Sequence, residues 1–278
     1  MGSHLREKHH QEEESMAKYM AYVGSYSYTG KSKGITVYDV DVEKGKFIKR
    51  CEVEVDNSSY VIASNDNKTL YSIADEGVVA FRILENGSLS RLNSAKIKGM
   101  RGCHLSTDLK DKYIFVSGFH DGKATILRLR RDGGVGEIVD GVFHKGLGSV
   151  ADPHVTCFRR TPDGKFVMAA DSGLDQVKIY RFNERDEHMV QVDAIRCDLE
   201  SAPRNFRFSN DGKFIYLMYE QKNVIYVYTY ESGDRVPVIE KIQTISTTAP
   251  KHNQLTAACS LRFSPDQKHM FCSNAGDE

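Results

Sequence analysis

The side chains suited to proton transfer and anion binding stand singly along this chain, and their spacing excludes several chemistries. Ten histidines are present. Apart from His9 and His10 they occur alone, without the close spacing a tetrahedral metal site needs. Six cysteines (Cys51, Cys103, Cys157, Cys197, Cys259, Cys272) are scattered with no Cys-x-x-Cys pair, a pattern of buried reduced thiols rather than a zinc knuckle or redox motif. No Gly-x-Gly-x-x-Gly or phosphate-loop pattern precedes a helical stretch. No metal and no cofactor is therefore expected. What remains is chemistry from isolated histidines, arginines and carboxylates. Histidine titrates near neutrality and can take a proton from water, and arginine keeps its charge and can hold a developing oxyanion, carboxylate or phosphate.

The elements that must position such residues repeat along the chain. Polar turns with an Asp or Asn and a following Lys open alternating apolar strands at Asn65-Asp66-Asn67-Lys68, Asp108-Leu109-Lys110-Asp111-Lys112, Pro162-Asp163-Gly164-Lys165, Asn210-Asp211-Gly212-Lys213 and Pro265-Asp266-Gln267-Lys268. The aligned lysines are 44, 53, 48 and 55 residues apart, close to the roughly 40 to 50 of propeller blades and longer than helical solenoid repeats. Segments such as Val177–Phe182 and Val224–Tyr228 alternate in the strand manner with β-branched and aromatic residues. Each copy reads as a small antiparallel sheet that must pack against its neighbours around an axis. A first unit, with strands at Tyr22–Tyr26 and Ile35–Val40, precedes the five copies. Tight hairpin turns are expected at Glu43–Lys46, Glu85–Ser88 and Arg131–Gly134. The fold class is all-β: a β-propeller of four-stranded antiparallel blades, about five and a half to six of them present.

Lys plus Arg equals Asp plus Glu at 38 each, so no global field steers the protein to nucleic acid or acidic membranes, and neither is expected as a partner. No apolar run approaches the roughly 20 residues that span a bilayer, and no signal-peptide core appears; a cytoplasmic location is expected. Residues 1–15 read as a tag-like disordered tail, and 16–278 as a single propeller domain. The last unit stops in mid-blade, so an open sheet edge is expected, with weakened stability or self-association through it.

The Tyr22-Val23-Gly24-Ser25-Tyr26 start, Lys33–Tyr38, Pro153-His154, Ala202-Pro203-Arg204-Asn205, Tyr219-Glu220 and Ser273-Asn274-Ala275-Gly276, in that order, resemble the lactonase family of seven-bladed propellers. That family includes bacterial 6-phosphogluconolactonases and fungal carboxy-muconate cyclases. The resemblance covers the chain from about Tyr19 onward, and implies that a final blade and part of the one before it are absent. It also implies a funnel site built from a His, an Arg and a Glu of neighbouring blades, here His154, Arg204 and Glu220. The His would take the proton of an attacking water and the Arg would hold the anion. Glu220 could orient either of them or be the base itself. Asp152 stands where many members have a second histidine, Asn205 where they have the histidine after the arginine, and Ala275 where they have a further arginine.

His104, Asp152, Asn205 and Asn253 are candidate substrate contacts; His120 and His252 also fall at blade starts or strand ends. Each catalytic candidate also has an ordinary structural explanation: a hydrogen-bonded strand histidine, a blade-to-blade salt bridge, a solvated loop acid. The implied function is hydrolysis of a sugar lactone, 6-phosphogluconolactone foremost, in the pentose phosphate route, with a small-molecule lactone as partner. The alternatives are a non-catalytic propeller scaffold binding a protein or small ligand, and a muconate-type lactonising cyclase. Trp is absent and no Trp-Asp signature marks the blades, so such a scaffold would not be of WD40 type.

Overall fold

The structure, a computed structural model, describes residues 19–146, 151–251 and 255–276; Asn253, His252 and the tail lie outside them. Six antiparallel sheets follow one another, each a meander in which sequence neighbours pair. The first has three strands (Tyr19–Gly24, Gly34–Asp41, Lys46–Glu54) and the sixth has two (Ala257–Phe263, Met270–Ala275). The four between them are four-stranded and span residues 61–96, 104–143, 155–196 and 203–246.

The repeated motif is a turn closed by its own side chains. Ser64, Thr161, Ser209 and Ser264 each donate to the aspartate two residues on. That aspartate accepts the amide of the aligned lysine, at 3.0 Å for Lys68 and Lys165 and 3.1 Å for Lys213 and Lys268. The hydroxyl in turn accepts the amide that opens the next strand. In the third sheet Asp108 does both tasks, accepting from the Lys112 and Tyr113 amides at 2.7 and 2.8 Å. Short polar side chains thus satisfy amides that the reversal would otherwise leave unpaired.

A register slip marks the pairing of third and fourth strands in the second to fifth sheets, at Ala80/Phe81, Ile126/Leu127, Ile179/Tyr180 and Val227/Tyr228. The same slip occurs in the first sheet at Val37/Tyr38. Its strands therefore match strands two to four of a blade, and no described residue fills its innermost position.

Apolar residues of neighbouring sheets interlock into a core between each pair. Phe166, Met168 and Ile179 meet Phe206, Ile215 and Leu217 between the fourth and fifth sheets, and similar clusters join the other pairs. The innermost strands all run the same way. One rim of the propeller therefore collects the starts of innermost strands and the links from second to third strands. The opposite rim collects the Ser/Thr-Asp-Lys turns. Of the free cysteines only Cys157 is buried and Cys272 is exposed, so burial of the thiols is less complete than their scatter suggests.

Candidate active site

His154 stands immediately before Val155–Arg160, the innermost strand of the fourth sheet. Its backbone amide donates to Asp171 Oδ1 at 2.8 Å, and its Nδ1 lies 2.7 Å from the Phe119 carbonyl oxygen. A ring nitrogen facing a carbonyl must carry the proton, so Nδ1–H donates and Nε2 keeps its lone pair. The Phe119 ring stacks on the imidazole at 4.3 Å and 9°. Gly173 is required beside it: a Cβ there would come within 1.9 Å of the Asp152 carbonyl oxygen and 2.9 Å of His154 Cδ2.

Behind His154 sits a buried network that the sequence did not reveal. Asp171 Oδ2 lies 2.7 Å from Nδ1 of His144, whose Nε2 is 2.9 Å from the Tyr180 hydroxyl. The other Asp171 oxygen, besides the His154 amide, accepts the Gly173 and Leu174 amides at 3.1 and 3.0 Å. Burial works against the Asp171 charge, yet the His144 ring and these amides hold its carboxyl below the usual range. Burial lowers His144, outweighing the pull of Asp171, so the imidazole is neutral and donates from Nδ1. One carboxylate therefore fixes both the His154 backbone and the turn beside its ring. The available signal was positional: Asp171 closes a fully buried strand at the place held by Ala74, Gly118, Tyr219 and Asn274 in the other repeats.

Arg204 and Glu220 come from the fifth sheet, in Pro203–Phe208 and just after Phe214–Tyr219. Arg204 Nη1 donates to Glu220 Oε2 at 2.6 Å. Burial opposes the guanidinium charge, but Glu220 more than offsets it and raises the Arg204 pKa. The register slips between Pro203 and Asn205, the kind of irregularity that re-aims a side chain. The approach to Arg204 is clamped by Asp175, another residue the sequence did not single out; it accepts the amides of Glu200, Ser201 and Ala202 at 2.7, 3.1 and 2.8 Å. The pair is thus a salt bridge within one sheet rather than between blades, and Glu220 is an ion-paired residue, not a solvated acid.

His154, Arg204 and Glu220 line one cavity of about 390 Å³, with Phe119, Ser172 and Gly173 among its other walls. A sugar-sized ligand fits that volume. The other candidates are not brought there. Asp152 and His120 are exposed. His104 and Asn205 are buried further along the central channel, where both approach the Cys157 thiol. Ala275 is exposed and supplies no cation. A larger hollow of about 1070 Å³ lies at the opposite rim, between turns of the second and third sheets, away from these groups. Cys103 has its thiol pushed up to about 12 by burial, which removes it as a nucleophile. No cluster of metal-ligating residues occurs among the described residues.

Comparison with known proteins agrees with this architecture. The family model described as lactonase, 7-bladed beta-propeller matches residues 20–278. The 6-phosphogluconolactonase of Bacillus subtilis is 27% identical over 274 residues, covering 95% of this chain and 76% of that protein. The crystal structure of a candidate 6-phosphogluconolactonase from Bacteroides fragilis superposes with a TM-score of 0.78 at 31% identity, covering 92% of this chain and 74% of that one. The periplasmic gluconolactonase of Pseudomonas aeruginosa gives 0.82 at 25% identity, with coverage of 92% and 76%. The chain belongs to the lactonase family of seven-bladed β-propellers, lactone-hydrolysing enzymes of the carboxylic ester hydrolase class. Among the described residues no helix is long and apolar enough to cross a membrane.

Proposed function

We infer that the chain hydrolyses 6-phosphogluconolactone to 6-phosphogluconate, with His154 activating water and Arg204 holding the developing charge. The observation that carries this reading is the fixed tautomer of His154. Its Nδ1–H is committed to the Phe119 carbonyl, so the free Nε2 lone pair belongs to a side chain lining the same cavity as a charged guanidinium. In the first step Nε2 takes a proton from water as the hydroxyl oxygen bonds to the lactone carbonyl carbon. The carbonyl oxygen becomes an oxyanion beside Arg204, the arrangement that stabilises a tetrahedral intermediate. Collapse breaks the bond to the ring oxygen, which takes the proton back from Nε2; the new carboxylic acid then gives its proton to solvent, and the carboxylate leaves from Arg204. Glu220, bonded to Arg204, orients the guanidinium.

The names of the Bacillus and Bacteroides relatives support this choice of substrate. A phosphorylated sugar lactone goes with a cytoplasmic enzyme and the pentose phosphate route, whereas the Pseudomonas relative is named a periplasmic gluconolactonase.

The test is proton release from 6-phosphogluconolactone and from gluconolactone, with the spontaneous rate subtracted. The phosphorylated lactone is expected to be turned over faster, and His154→Ala to lower kcat/KM by roughly 10²- to 10⁴-fold, the usual contribution of a general base. Turnover undiminished in His154→Ala would remove the base assignment, and no rate above background on either lactone would overturn the reading.

A further inference from the structure

Arg159, Arg207 and Arg262 occupy one repeat position, four residues before the turn aspartates Asp163, Asp211 and Asp266. They lie toward the far end of the innermost strands of three successive sheets, Val155–Arg160, Pro203–Phe208 and Ala257–Phe263. Their contacts join across the central channel. Arg159 Nη2 donates to His104 Nε2 at 3.2 Å, Arg262 Nη2 to the Tyr60 hydroxyl at 2.7 Å, and Arg207 Nε and Arg262 Nη1 both reach the Leu261 carbonyl, at 3.2 and 2.9 Å. No carboxylate among the described residues pairs with any of the three, whereas Arg204 has one and Arg160 and Arg128 have two each.

Two buried donors there have no partner: Arg159 Nε and His104 Nδ1. His104 accepts from Arg159 at Nε2, so its proton sits on Nδ1, in a side chain only 2% exposed. The like charges also crowd one another. Burial, then Arg159 and Arg262, push the Arg207 pKa down to about 9. Arg159 and Arg207 are half-buried, and guanidinium groups withdrawn from water without a counter-charge are costly; a multiply charged anion would offset that cost.

We propose that Arg159, Arg207 and Arg262, with His104, bind a phosphate oxyanion in the central channel, at a site separate from the His154 cavity. Guanidinium groups supplied by three successive sheets, close enough for Arg159 and Arg262 to act on Arg207, suit a tetrahedral ion with four acceptor oxygens better than the two coplanar oxygens of a carboxylate. Arg204 lines the His154 cavity and none of these three arginines does, and Arg207 stands three residues, about 10 Å along a strand, beyond Arg204. The site stands whether or not the lactone chemistry does, because its readout is binding without turnover.

The probe is inorganic phosphate at low millimolar concentration, with ionic strength held by chloride, read by thermal unfolding. Phosphate well above its Kd is expected to raise Tm by roughly 5 °C. Arg207→Met should abolish that shift, and Arg262→Gln, at an exposed position that tolerates change if Arg207→Met fails to fold, should reduce it. Arg204→Met should keep it. No shift in the parent chain, an equal shift in both channel variants, or loss in Arg204→Met alone would overturn the site. Glucose 6-phosphate reproducing the shift would identify a monoester as an occupant; a shift with inorganic phosphate only would identify the free ion.

Discussion

At the scale of single residues, chemistry depends on which atom is left free. His154 Nε2 is free because Nδ1 is held by Phe119, and Arg204 is aimed because Glu220 holds it. Glu220→Gln keeps the shape but removes the charge-assisted bond, so kcat/KM should fall on the order of tenfold. A loss as large as that of His154→Ala would instead make Glu220 the base. The residue types were legible in the sequence; the tautomer was not, because the carbonyl that sets it lies 35 residues away in another sheet.

At the scale of elements, strands and turns act as rigid holders. Gly173→Ala would force a Cβ against the Asp152 carbonyl and the His154 ring. It should lower kcat at least tenfold and raise KM with the fold intact, a split that kinetics and circular dichroism together would show; unchanged kinetics would mean the turn does not set the ring. Phe206 is fully buried between the fourth and fifth sheets, two residues beyond Arg204. Phe206→Ala should cost about 3–5 kcal/mol by urea unfolding, and a loss below 1 kcal/mol would show that the interface does not hold the sheets. The turns were legible because their hydrogen bonds span two to five residues. The three-stranded nature of the first sheet was not, since two strands and a turn read alike at any blade position.

At the scale of the whole molecule, burial of neutral histidines ties stability to pH. Burial lowers both His144 and His104, the latter with further help from Arg159. In the unfolded chain both titrate near 6.5, so below that pH the unfolded state binds more protons than the folded one. Their contribution is complete above about pH 6.5 and is lost as pH falls toward the depressed folded values, by up to about 1.4 kcal/mol per pH unit for each histidine. Urea unfolding between pH 7.5 and 5.5 should show this decline, and His144→Gln, which retains a donor for Asp171, should make it shallower. A flat profile in the parent chain would contradict the neutral burial of both rings.

The sequence by itself determined the blade and its repetition, because alternation and Ser/Thr-Asp-Lys turns are encoded within a few neighbouring residues. It also carried the ordered motifs of the lactonase family, down to His154, Arg204 and Glu220. The tertiary structure decided which side chains share a space. The His144–Asp171 pair, the His154–Phe119 bond and the Arg159–His104 contact join residues 27, 35 and 55 positions apart. Side-chain direction there depends on register slips such as Val155/Cys157 and Pro203/Asn205, and a slip of one residue turns a strand's side chains to the other face. That is why the three aligned arginines look in the sequence like ordinary strand residues and meet only when successive sheets close around the channel.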